Sequence, residues 1–352
     1  MALRRVTAEY ALTRWSEFDT LIDARSESEF ALDHLPGAVN WPTLDDDERR
    51  LIGTMYKERG GFEAKKHGAA LAACNIGRHI TRAVLGLPRD WKPLLYCWRG
   101  GKRSGALALV LDQIGFRVSL VEGGYKAFRA AMLTDLDLLA SQFDFRVVCG
   151  TTGSGKTRLL HALARQGAQV LDLEALACHR SSVLGAVPGQ PQPSQKGFDS
   201  LIWNALRQLD ASRPVYVESE SRKVGNVAVP LRLLEAIRAG ACMELVLDDP
   251  QRVALLLEEY ANFTGDPAAF CERLDVLTEL RGKAVVEQWK WQVRSGAIET
   301  VVLDLLASHY DPTYLQSMRR NFTGFAQAVP LRPHDRSAES MDKLAAHLVA
   351  AS

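Results

Sequence analysis

The sequence lacks any apolar run of the ~18 residues that a membrane span needs, and its opening stretch, MALRRVTAEYALTRW, has no apolar signal core. It also has almost no net charge: 43 Lys and Arg stand against 42 Asp and Glu, giving +1 at pH 7. That balance excludes a broadly polybasic protein and leaves room only for local basic patches. Paired cysteines are missing as well. The six thiols, at 74, 97, 149, 178, 242 and 271, form no CxxC and no metal-ligand spacing. This fits a reducing compartment in which most thiols act as small buried hydrophobes. Internal repeats and low-complexity tracts are absent too. What is present is 352 residues, 47% hydrophobic and 24% charged, a globular composition with length for two or three domains. A soluble, cytoplasmic, multidomain chain is expected.

Two α/β series follow one another. In the first, the apolar runs 20–24, 94–97 and 118–121 read as strands, and Leu107, Val110, Leu111 and Ile114 keep helical spacing between the last two. Strand, loop, helix, strand is a βαβ unit and implies a parallel sheet. Residues 45–77, charged and alanine-rich with a Gly60-Gly61 break, read as helices in a surface excursion. The second series has strands at 145–149, 169–173, 214–218 and 243–247 alternating with helical segments. Residues 181–196, rich in Pro, Gly, Ser and Gln, read as a loop over the second sheet. From Arg252 onward helical periodicity dominates. The expected domains are 1–130, a helical linker at 131–144, a P-loop α/β domain at 145–250 and a helical region at 251–352.

The sharpest local signal is Gly150-Thr151-Thr152-Gly153-Ser154-Gly155-Lys156-Thr157, a full match to G-x-x-x-x-G-K-[ST]. Chance would place that string in about one chain in a hundred of this length, and here an apolar strand precedes it and a helix follows. Glycines let backbone N–H groups converge on one anion at a helix N-terminus. Lys156 neutralises a terminal phosphate, and the Thr157 hydroxyl is placed to ligate Mg²⁺ if a metal is used; the sequence leaves the metal open. Asp172, Glu218 and Glu220 are the acids available to hold a cation or activate an acceptor, each reading equally as a solvated strand end.

The second chemical centre is Tyr96-Cys97-Trp98-Arg99-Gly100-Gly101-Lys102-Arg103-Ser104. A cysteine between a strand end and a helix start, with glycines and Arg99, Lys102 and Arg103 around it, is set up as a thiolate in an anion cradle. The other five cysteines read as buried and inert. The Cys97-x₅-Arg103 spacing is a phosphatase-like loop length, yet Tyr96 stands where a cysteine phosphatase usually has a histidine.

These residues resemble known families. Asp23-Ala24-Arg25, Glu29-Phe30, His34-Leu35-Pro36-Gly37-Ala38-Val39-Asn40 and Glu122-Gly123-Gly124 are similar to the signature of a rhodanese domain, with Cys97 at the sulfur-carrying position. The loop is one residue longer than the usual Cys-x₄-Arg, which suits an anion larger than sulfane sulfur. A rhodanese domain followed by a P-loop, with QPSQ at 192–195 and ESES at 218–221, resembles the tRNA 2-selenouridine synthase family over about residues 10–330. The resemblance implies an N-terminal rhodanese-like domain, then a P-loop NTPase-like domain with a helical C-terminal region. It also implies conversion of wobble 2-thiouridine in tRNA to 2-selenouridine with selenophosphate, through an S-geranylated intermediate made from geranyl diphosphate. No tightly bound cofactor is expected. The implied partners are tRNA at its anticodon region, the phosphate and diphosphate substrates, and the enzyme that produces selenophosphate, with no membrane.

tRNA contact on a neutral chain requires local cations. The candidates are Arg222 and Lys223; Lys283, Lys290 and Arg294 interleaved with Trp289 and Trp291; and Arg319-Arg320. The same tryptophans also read as helix core and the charges as a solvated face. A geranyl tail would find apolar surface near Val183, Leu184 and Phe198, residues that ordinary core packing explains equally. The alternatives are a P-loop small-molecule kinase or NTPase with a rhodanese-like module, a sulfur-carrier or tRNA-binding adaptor, and a cysteine phosphatase.

Overall fold

A computed structural model describes residues 3–180, 185, 187, 189–260 and 265–351. Val183 and Leu184 lie outside the described residues. The chain divides into two compact units, Met1–Leu138 with Pro193–Asn204, and Leu139–Gln192 with Ala205–Ser352. No helix among the described residues is long and apolar enough to cross a membrane.

The first unit is built on five parallel strands: β1 (Arg4–Val6), β2 (Thr20–Asp23), β3 (Val39–Asn40), β4 (Pro93–Tyr96) and β5 (Ser119–Val121). Their order is β1-β5-β4-β2-β3. All four residues of β4 are buried, as expected of a central parallel strand covered on both faces. Leu107 and Leu111 of the helix Lys102–Ile114 pack with Ile22, Leu95 and Leu120 in the core, and Gly115 at φ +110° ends that helix. The excursion is two helices, Asp46–Glu58 and Gly61–Ala83, broken at Gly60. The edge strands β1 and β3 escape the sequence reading because two or three residues show no periodicity.

The expected linker at 131–144 is largely the second half of one helix, Gly124–Ala140, with Met132, Leu136 and Ala140 buried. The division between the two units falls inside this helix, between Leu138 and Leu139, within the segment expected as a helical linker. The structure also moves Pro193–Asn204, expected within the P-loop domain, into the first unit. These residues open a helix, Gln195–Leu206. Trp203 lies 5.8 Å from the Trp15 ring and 5.9 Å from Phe128, and its indole N–H donates to Asp135 at 2.8 Å.

The second unit has β6 (Phe145–Cys149), β7 (Gln169–Leu171), β8 (Val215–Glu218), β11 (Ala241–Leu245) and β12 (Val329–Leu331) in the order β12-β11-β6-β8-β7, all parallel. A small antiparallel ribbon joins β9 (Lys223–Val224) to β10 (Val227–Ala228). The region 251–352 is therefore not wholly helical. Its strand β12 contains Pro330, which reads as a breaker but is tolerated at a sheet edge. The helix Ala338–Ala350 places Met341 and Ala345 in the same core as Leu159, Leu160 and Leu163 of the helix Lys156–Arg165. The other C-terminal helices close a second core around Phe270, Leu274, Trp289 and Val301.

Candidate functional site

Each unit holds one glycine-rich loop at the C-terminal end of a central strand, where open α/β sheets place their ligands. In the first unit, Cys97 follows β4 and is 3% exposed. The Gly101 N–H points to its Sγ at 3.2 Å. The loop is held from behind by the turn after β5. Tyr125 N–H donates to the Cys97 carbonyl at 2.8 Å and Lys126 N–H to the Trp98 carbonyl at 3.1 Å. Both loops need glycine: Gly124 sits at φ +60°, and a Cβ there would lie 2.2 Å from the Cys97 carbonyl oxygen and 2.3 Å from the Gly100 nitrogen. Gly100, where a Cβ would lie 2.6 Å from the Val121 carbonyl oxygen and 3.2 Å from the Gly124 nitrogen, and Gly124 are the two sides of one close backbone crossing.

The cations around Cys97 divide into two kinds. Arg99 and Lys102 are exposed. Arg103, expected as part of the cradle, is committed to Glu29 at 2.6 Å, and Arg49 reaches the same carboxylate at 3.3 Å. Burial pushes the Glu29 carboxyl up, but the Arg103 hydrogen bond and the two positive charges bring it below its ordinary value. The Ser104 hydroxyl is buried without a hydrogen-bond partner. Beneath the site, Arg25 is fully buried, binds Asp23 at 2.6 Å and lies 4.0 Å from the Tyr125 ring centroid. That explains the Asp-x-Arg motif as structural. Of the remaining cysteines, Cys149, Cys242 and Cys271 are buried and Cys178 is half-buried. Cys74 departs from the expected buried state: it lies exposed on the solvent side of the helix Gly61–Ala83.

In the second unit, Gly150–Thr157 runs from β6 into the helix Lys156–Arg165, with Gly150, Gly153 and Gly155 all at positive φ. Lys156 Nζ donates to the Gly150 carbonyl at 2.9 Å across the loop. Two residues invisible to motif reading brace it. The Tyr314 hydroxyl accepts from Gly150 N–H at 2.7 Å and shares a hydrogen bond with Ser219 at 2.8 Å. The Tyr314 ring centroid is 5.4 Å from Lys156 Nζ. Arg252, 4% exposed, donates to the Thr152 carbonyl at 2.8 and 3.0 Å and to Asp311 at 2.6 Å.

The acids sort differently from the sequence expectation. Asp172 caps the helix Leu173–Ala177, accepting from Ala175 N–H at 2.8 Å, and meets His161 at 3.1 Å. It is not part of the acidic cluster; Glu174 takes that place. Carboxylate oxygens of Glu174, Glu218 and Glu220 lie within 4.8 Å of one another. Burial, then the charge of Glu174, pushes the Glu218 carboxyl well above the usual range, against the pull of Lys156, while Glu220 adds repulsion and a Thr157 hydrogen bond opposes it. One Glu218 oxygen is buried without a hydrogen-bond donor. Three hard oxygen donors, one unsatisfied, fit a divalent cation such as Mg²⁺.

Among the proposed tRNA cations, Arg222, Lys223, Lys283, Arg294, Arg319 and Arg320 are exposed. Lys290 is a correction: it is 8% exposed and paired with Asp275 and Glu287, because its helix turns that position toward the core. Trp289 is buried with its N–H on Asp304 at 2.6 Å, while Trp291 is 67% exposed. Arg319 and Arg320 line a cavity of about 390 Å³ with Phe322 and Phe325. Phe198 is fully buried in the helix Gln195–Leu206.

A buried cysteine cupped at the end of a central parallel strand, followed in the same chain by a complete phosphate loop, defines the class: a rhodanese-like domain joined to a P-loop domain. Residues 7–131 match the rhodanese-like domain family, and residues 143–270 match the tRNA 2-selenouridine synthase AAA domain. Relatives described as tRNA 2-selenouridine synthase include one from Alcanivorax borkumensis, 30% identical over 89% of this chain and 92% of its own length. Others come from Nitrosomonas europaea, 39% identical over 68% of this chain, and Nitrosomonas eutropha, 38% identical over 62%. The aligned stretches span 63% and 57% of those two relatives, less than two thirds. The chain belongs to the tRNA 2-selenouridine synthase family.

Proposed function

We propose that this chain converts wobble 2-thiouridine in tRNA to 2-selenouridine, using selenophosphate and passing through an S-geranylated nucleoside made from geranyl diphosphate. The observation that carries the reading is the presence in one chain of two separate anion cradles, one built around a thiol and one around a lysine. In the first step the thiouridine sulfur displaces diphosphate from the prenyl carbon. Backbone N–H groups of the loop after Gly150, whose own N–H is taken by Tyr314, hold that leaving group, and Lys156 stabilises its charge. A divalent cation held by Glu174, Glu218 and Glu220 would supply further charge neutralisation. In the second step the selenium of selenophosphate attacks the base carbon that carries the S-geranyl group, geranylthiol leaves, and water cleaves the Se–P bond to release phosphate, with Cys97, Arg99 and Lys102 holding the tetrahedral anion.

The test is mass spectrometry of wobble nucleosides after incubation of thiolated tRNA with protein, geranyl diphosphate and selenophosphate. Wild type yields 2-selenouridine. Cys97→Ser accumulates geranylated tRNA, while Lys156→Ala leaves 2-thiouridine. If both variants stop at 2-thiouridine, the division of labour is wrong. The carboxylates beside Thr157 also favour a second reading, a small-molecule kinase or NTPase; ATP turnover that is independent of Cys97, with no nucleoside change, would establish it. For tRNA binding, charge reversal at Arg222, Lys223, Arg319 and Arg320 should weaken affinity and flatten its salt dependence. An unchanged salt slope removes these residues from the interface.

A further inference from the structure

The loop around Cys97 is short of available charge close to the thiol. Arg103 is committed to Glu29, and Arg99 and Lys102 extend into solvent. A further cation arrives from a distant part of the chain. Lys196 is half-buried at the start of the helix Gln195–Leu206, within the segment that packs in the first unit. Its ammonium lies 5.8 Å from the centroid of the Trp98 ring. Trp98 is the residue after Cys97, and its ring stacks on Tyr125 at 5.4 Å. Among the described residues Lys196 makes no ion pair, so its charge is not neutralised by a carboxylate.

The lysine is held there by its backbone. Arg129 donates to the Lys196 carbonyl at 3.0 Å, and the same guanidinium binds Asp199 at 2.5 Å and Asp33 at 3.1 Å. Ser194 donates its hydroxyl to the Leu32 carbonyl and accepts from Gly197 N–H at 3.0 Å. The helix start is therefore fastened on both sides of Lys196 while, among the described residues, the side chain keeps only an aromatic partner. A cation resting on a ring face is pre-positioned yet retains its charge for an anion.

We infer that Lys196 is a positioning residue of the Cys97 site, drawing a tetrahedral, phosphate-type anion onto the loop. This rests on the reading of Cys97 as the thiol that handles selenium. Iodoacetate and iodoacetamide differ mainly in charge, and each alkylates a thiolate with loss of iodide. Peptide mapping gives the rate of each at Cys97 in the full chain. Lys196→Gln should lower the iodoacetate-to-iodoacetamide rate ratio by about three- to tenfold, and Lys196→Arg should keep most of it. The same Lys196→Gln variant should raise KM for selenophosphate more than it lowers kcat. A ratio unchanged in Lys196→Gln overturns the inference, as does a parallel fall of both rates, which marks a structural role. Failure of both reagents to modify Cys97 in wild type is a distinct result: it removes the reactive thiol itself, and the inference with it.

Discussion

Glu218 shows how a single residue can hold a site under tension. It is buried, faces two other carboxylates and has one oxygen without a donor. Its raised pKa means that its contribution to stability is complete below the ordinary carboxylate range and is lost as pH rises through the higher folded value. The protein without added cation should therefore be less stable at neutral than at mildly acidic pH on this account. Glu218→Gln removes the strain. Its Tm at neutral pH should rise by about 2–4 °C, the shift that about 1 kcal/mol produces in a domain of this size, and the gain should shrink on acidification. Added Mg²⁺ should stabilise wild type and not the variant, a difference that thermal denaturation at two pH values measures. That Glu218 was a candidate followed from its place at a strand end. Glu174 was not legible, because only the turn of the short helix after Asp172 decides which of two nearby acids faces the cluster.

At the scale of the element, the strand–loop–helix around Cys97 works because Gly100 and Gly124 let two backbones cross in close contact. Gly124→Ala should destabilise the first unit by about 3 kcal/mol or more, since the new Cβ meets the Cys97 carbonyl as well as the cost of a left-handed residue. Gly37→Ala is the control: φ is +75°, but nothing lies within 4 Å of the added atom, so only about 1–2 kcal/mol of backbone strain is expected. Urea unfolding separates the two. Equal losses would show that the crossing relaxes easily. The β4–helix–β5 unit and the P-loop were both legible for the same reason: apolar strands, glycines and helix starts interact over a few residues. Strand β12, three residues at an edge, offers no such local pattern.

For the whole molecule, the chain order and the packing order differ. Pro193–Asn204 lies in sequence between elements of the second unit but packs in the first. A fragment of residues 1–140 would thus lose Trp203 from its place beside Trp15 and Phe128, and leave Arg129 without Asp199. It should show a lower Tm and stronger binding of a hydrophobic dye than a version that restores 193–204 through a short linker. Equal behaviour of the two would mean that the segment contributes little to that core. Domain boundaries drawn from composition miss this exchange because a Pro/Gly-rich stretch announces a loop without saying where the chain beyond it goes.

The sequence by itself determined the two α/β series, the phosphate loop and the place of Cys97 between a strand end and a helix start, since each depends on glycine placement and apolar spacing among near neighbours. Tertiary structure alone decided which charges remain available. Arg103 and Lys290 are spent on carboxylates, Tyr314 and Arg252 brace the phosphate loop, and Lys196 comes to rest over Trp98. Those outcomes depend on groups far apart in the chain, and a charge is neutralised or left free only by what folding brings beside it.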